Sequence, residues 1–139
     1  MNPRRYVFSV VTDGSAVATC KLISPQPLNQ PVSGHVKSVQ YVPPQSNNLA
    51  DSAALTLTAT DPITGAVQTV VNAATITAGN TAQEWSPKKP THTAAGAAAL
   101  YAAAGVAVLE DFVLADEVLA LSVASGGNNK TGTIVIVVE

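Results

Sequence analysis

The sequence predicts an all-β fold, a single-domain antiparallel β-sandwich or open β-barrel of about seven strands. Three observations predict it. Leu55, Leu57 and Ala59 alternate with Thr56, Thr58 and Thr60, the period of a strand with one face buried and one wet. Turn sequences such as Asp13-Gly14 and Asp61-Pro62-Ile63-Thr64-Gly65 separate short runs of this kind; Gly and Asp supply the backbone angles and local hydrogen bonds a tight turn needs. The last run, Thr133-Ile134-Val135-Ile136-Val137-Val138, is β-branched and needs neighbours to pair it, so it is expected inside a sheet.

The elements follow in order. Residues 1–5 are expected as an N-terminal arm leading into a strand over Arg5–Val11. The Asp13-Gly14 turn returns the chain as Ser15–Ile23, with Ala16, Ala18, Cys20 and Leu22 on one face. Pro25, Pro27 and Pro31 make 24–33 a long loop or extended edge. Gly34–Val42 reads as the third strand. Val39 and Tyr41 share a face that Val36 misses, and a bulge near Lys37-Ser38 repairs the phase. Pro43–Asn48 is a loop, Ala54–Thr60 a strand and Ala66–Val71 its return. Residues 72–90 lack periodicity and are expected as a second long loop carrying Trp85, the only tryptophan. Thr91–Ala104 is a short Ala-rich helix candidate, with Leu100 and Tyr101 able to share a packed face. Gly105–Ala115 and Glu117–Ala124 read as strands with Asp116 near the turn. Ser125–Gly132 then forms the loop of a final hairpin.

The chain has 139 residues, which suits one domain and allows roughly two-thirds of the unfolded surface to be buried without disulfides or metal. Charged residues are only 12% and the net charge is −2, against about 25% charged in ordinary domains. Ala, Ser, Thr and Asn replace Lys and Glu, so covering this surface costs little desolvation. Arg4-Arg5 and Lys88-Lys89 are too short for a nucleic-acid tract. No run reaches the roughly 20 apolar residues of a membrane span, and the start of the chain lacks a signal-peptide pattern. Cys20, the single cysteine, is expected as a buried thiol.

No reaction centre is legible, and the chain is read as a non-enzyme without cofactor or metal. His35 and His92 lack metal-ligand spacing. Glu110-Asp111 and Asp116-Glu117 are adjacent acids beside strand ends, where solvated charge is the ordinary outcome. Gly126–Thr131 differs from a phosphate loop because Asn129 precedes Lys130 and a strand, not a helix, follows. Asn129-Lys130-Thr131 is a glycosylation acceptor only in a secretory route. Tyr41 and Tyr101 are expected in the core, while Trp85 is balanced between capping the sandwich and docking to a partner.

Thr12-Asp13-Gly14-Ser15-Ala16-Val17-Ala18, Val39-Gln40-Tyr41-Val42, Pro90–Gly96 with Leu100-Tyr101-Ala102, and Gly126–Thr133 resemble stretches of small β-rich virion proteins of tailed bacteriophages. The resemblance implies capsid decoration, or cementing. Such proteins bind the outer face of the major capsid protein lattice, commonly as a homotrimer at three-fold positions. It places the chain on the capsid surface of a virion, made in the host bacterial cytoplasm, with no nucleic-acid, membrane or small-molecule partner. One departure is Trp85-Ser86-Pro87-Lys88-Lys89-Pro90, where the family pattern has an aromatic residue followed by Pro and Arg; a contact through that arginine does not carry over. The candidate interface residues are Arg4 and Arg5 in the N-terminal arm; Pro25, Pro27 and Pro31 in the first long loop; Trp85, Lys88 and Lys89 in the second; and His92 in the Thr-His element. Competing readings are a head–tail connector, tail or spike-base component, and a carbohydrate- or cell-surface-binding β-sandwich.

Overall fold

The structure, a computed structural model, describes residues 3–25, 30–92, 94–97 and 108–139. It is all-β and antiparallel. The strands are β1 (Arg4–Thr12), β2 (Ala18–Ser24), β3 (Val32–Val42), β4 (Ala53–Thr60), β5 (Val67–Ile76), β6 (Gln83–Trp85), β7 (Lys88–Pro90), β8 (Leu109–Asp111), β9 (Val113–Ala124) and β10 (Thr131–Val138). A continuous path runs β2-β1-β10-β3-β9-β4-β5, β6 adds to β3, and β7 pairs only β8.

The path folds over because two strands change partners along their length. The first residues of β3, Val32–His35, pair β9, while Val36–Val42 pair β10 on one side and, over Val39–Tyr41, β6 on the other. The second half of β9, Val118–Ala124, pairs β4. This leaves two layers, β2-β1-β10-β3-β6 and β9-β4-β5, as in a sandwich or open barrel. Gly34 makes the bend in β3. Its φ is +132°, and an added Cβ would lie 2.9 Å from a Val138 methyl and 3.0 Å from the Glu139 carbonyl oxygen, so only glycine fits. In β9 the bend is at Asp116, with φ 55°. Its N–H donates to Ser33 Oγ, and the Ser33 hydroxyl donates to its carboxylate, both at 2.9 Å.

The core lies between the layers. Phe8, Val10, Tyr41, Ile134 and Ile136 from the first meet Leu55, Leu57, Val71 and Val123 from the second, and Leu49 plugs one end. The alternation expected for Ala54–Thr60 is present without a fault: Ala53, Leu55, Leu57 and Ala59 are buried and the threonines half-exposed. Tyr41 is fully buried, as expected, and its hydroxyl donates to the Gly79 carbonyl at 2.5 Å. The β3 bulge also falls where the phase required it: Ser38 opposes Val137 and Val36 opposes Val138, leaving Lys37 as the extra residue.

Several expectations need correction. Ser125–Gly132 does not close a hairpin; β9 and β10 do not pair with each other, and the loop carries the chain from one layer to the other. The final strand is indeed interior, but its partners are β1 and β3. Residues 72–90 are not one long loop: they hold the end of β5, all of β6 and all of β7. Non-local pairing, invisible to periodicity, orders them. Of the expected N-terminal arm, Arg4 and Arg5 already belong to β1. Residues 93 and 98–104 of the helix candidate lie outside the described residues, with Leu100 and Tyr101. Residues 94–97 form a turn and bend, and no helix occurs among the described residues. Gly105–Ala115 is not one strand: β8 ends at Asp111 and β9 starts at Val113.

Candidate interaction surfaces

The outer face of the β9-β4-β5 layer follows from period two. With Leu55, Leu57 and Ala59 turned inward, Thr56, Thr58 and Thr60 turn outward beside Ser122, Ala120 and Val118 of β9. Thr69 of β5 lies beside Thr58 on the other side. None of these residues carries charge. The surface is built of small and β-branched side chains, with hydroxyls that can exchange water for a partner's hydrogen bonds at little cost.

Charge collects elsewhere. The β7–β8 ladder sets Lys88 opposite Asp111 and Lys89 opposite Glu110. Asp111 accepts from Lys37 Nζ at 2.6 Å and from Lys88 Nζ, and His35 Nδ1 lies 3.7 Å away. Its side chain is only 12% exposed. The Lys37 hydrogen bond, and then that of Lys88, hold the Asp111 carboxyl down to about 2; the same bond raises the Lys37 ammonium. Lys89 reaches Glu110 at 3.9 Å and sits 5.8 Å over the Phe112 ring. The cluster therefore roots a two-stranded ladder against the β3 bulge, which is what turns Lys37 toward it. The chain leaves this ladder after Pro90 and re-enters it at Leu109, and Thr91 N–H donates to the Val108 carbonyl at 2.8 Å. The intervening sequence contains no Asp, Glu, Lys or Arg.

Recesses open at the described surface, and two of them involve residues singled out in the sequence. One of about 460 Å³ is lined by Arg4, Tyr6, Pro31, Ser33, Asp116, Val138 and Glu139. The other, about 300 Å³, runs between β2 and β9, where Cys20 and Leu22 approach Leu119 and Leu121 without backbone pairing. It is the seam that keeps the barrel open. Cys20 lies there half-buried, and burial pushes its thiol up, partly offset by a hydrogen bond with the Val123 backbone.

The nine candidate interface residues do not form one site. Arg4 and Pro31 share the larger recess. Lys88 and Lys89 sit on β7 and are engaged by Asp111 and Glu110, with exposed His92 just beyond. Arg5 lies on β1 opposite Val137. Pro25 is exposed after β2, and Pro27 lies outside the described residues. Trp85 pairs Val39 and packs half-buried against the core, so it caps the layers rather than offering a free platform. The acids expected as solvated charge are engaged. Asp111 is the ion-pair hub, Asp116 holds the bend, and Glu117 accepts from Gln68 Nε2 at 2.8 Å. Sequence reasoning missed Asp111 because its partners lie on strands 23 and 74 positions away. Among the described residues no group of three or more His, Cys, Asp or Glu could hold a metal, and no helix is long and apolar enough to cross a membrane.

Comparison with known proteins finds no matching family, no matching curated protein and no matching solved structure.

Proposed function

We propose that this chain is a structural virion protein of a tailed bacteriophage that decorates the capsid, binding the outer face of the major capsid protein lattice. The observation that carries the reading is the uncharged outer face of β9-β4-β5. A decoration protein is held by many repeated contacts, each individually weak, which the lattice multiplies into stable attachment. A Thr, Ala and Ser surface suits that use: it can be covered without stranding a charge. The resemblance of the turn and strand sequences to phage virion proteins supplies the particle. The Asp111 cluster gives the same molecule a stiff, ion-paired root for the uncharged sequence between Pro90 and Leu109.

The test is the copy number and location of the chain in purified particles, by quantitative mass spectrometry and cryo-electron microscopy. Copies comparable in number to the shell protein, on its outer face, support the proposal. A handful of copies at one vertex or in the tail would instead assign it to a connector or tail, and absence from particles would end the reading.

A further inference from the structure

The turn between β4 and β5 carries a side chain that the fold does not require. From Ser52 to Gln83 the sequence holds one charged residue, Asp61, and its carboxylate is folded into that turn. One oxygen accepts the Ile63 N–H and the other the Thr64 hydroxyl, both at 2.9 Å. The Asp61 carbonyl accepts the Gly65 N–H, and the Asp61 N–H donates to the Ala66 carbonyl, both at 2.8 Å. The Thr64 hydroxyl accepts the Ala66 N–H at 3.3 Å, and Pro62 fixes its own φ. These bonds hold the turn in one shape and leave Ile63 92% exposed, more than any other large hydrophobic side chain among the described residues. Turns favour Gly, Asn, Asp and Ser at such positions, and an isoleucine so exposed adds little to folding. The turn also ends the uncharged face. Thr60, its last threonine, lies between Val118 of β9 and Val67 of β5, and Val67 is 61% exposed. The face thus passes from hydroxyls to a row flanked by valines, with Ile63 just beyond.

We propose that Ile63 is the apolar anchor of the contact with the shell protein, seated in an apolar pocket on the shell's outer surface while the threonine face is covered beside it. The inference rests on the decoration reading and names the residue that carries most of its affinity. Continuity chooses the occupant: the turn extends the same uncharged face that the shell would cover. Chemistry agrees with it. Asp61, the only charge nearby in sequence, already has its carboxylate bonded within the turn, so seating the tip strands no bare charge. A turn held in one shape before binding gives up little conformational freedom when it is seated. The threonines contribute fit and exchangeable hydrogen bonds, which are close to neutral in energy, whereas burying an isoleucine is a net gain.

Titration of the full chain onto purified shells lacking it, read by co-sedimentation, tests the anchor. Ile63→Val, which removes one methylene, is expected to weaken binding about fourfold, and Ile63→Ala at least about tenfold. Both variants should keep the parent's thermal midpoint, because the side chain is outside the core, and the loss should persist in high salt, because no ion pair is involved. Ile63→Ala binding as tightly as the parent, while Thr58→Lys binds more weakly, would overturn the anchor and leave the decoration reading standing. A parent chain that does not bind shells would overturn both. Self-association of the isolated chain that Ile63→Ala abolishes would give the tip to a second copy and likewise overturn the proposal.

Discussion

Asp111 shows how much one side chain can organise. Its carboxylate joins β8 to Lys88 on β7 and to Lys37 on the bulge of β3. Its pKa of about 2 lies below its ordinary value of about 3.9 when unfolded. The sign is that of a depressed acid. The stabilisation is complete above about pH 4 and is lost as pH falls through the folded value near 2. The lysine side chains are 43% and 42% exposed, so water screens the pairs and their contribution is small. Asp111→Asn should therefore lower the thermal midpoint at neutral pH, with the difference from the parent shrinking near pH 2 and in high salt. Thermal unfolding across pH measures this; an unchanged gap at pH 2 would assign the loss to packing instead. Asp61 is a smaller case: the Ile63 N–H, then the Thr64 hydroxyl, lower its carboxyl while closing the β4–β5 turn.

At the scale of elements, β4 is the strand on which the second layer depends. It is paired on both sides, to β5 and β9, and Leu55 and Leu57 are fully buried. Each such leucine is worth about 2 kcal/mol of burial. Leu57→Ala removes that and leaves a cavity facing the other sheet, so a loss of about 2–5 kcal/mol is expected in denaturant unfolding. Thr58→Lys, one residue on but facing outward, should change stability by less than about 0.5 kcal/mol. The contrast tests the period-two assignment directly. β4 was legible because its two faces meet different environments and its residues say so. β3 was legible down to the bulge, since Val36 and Val39 must both turn inward. β6, β7 and β8 were not: three residues carry no readable period, and each is a strand only because a distant segment lies beside it.

The whole molecule separates its charge from its broad faces. The ion pairs gather at the root of the β7–β8 ladder, while the outer face of β9-β4-β5 is neutral. On the proposed role, the stable Thr58→Lys protein should bind shells lacking the chain at least about tenfold more weakly, because a lysine would be stranded beneath the contact. Co-sedimentation with such shells measures it, and undiminished binding would move the contact to another face.

The all-β class, the inward faces of β2, β3 and β4, the need to enclose the final strand and the low cost of covering the surface were legible in the sequence alone. They depend on local alternation and composition, which a single segment carries. The tertiary structure alone decided that β10 lies between β1 and β3, that β9 and β10 never pair, and that Lys37, Lys88 and Asp111 meet. Those outcomes depend on which distant strands can be brought together at the least cost in chain entropy while keeping one core shared, and no local pattern encodes that competition.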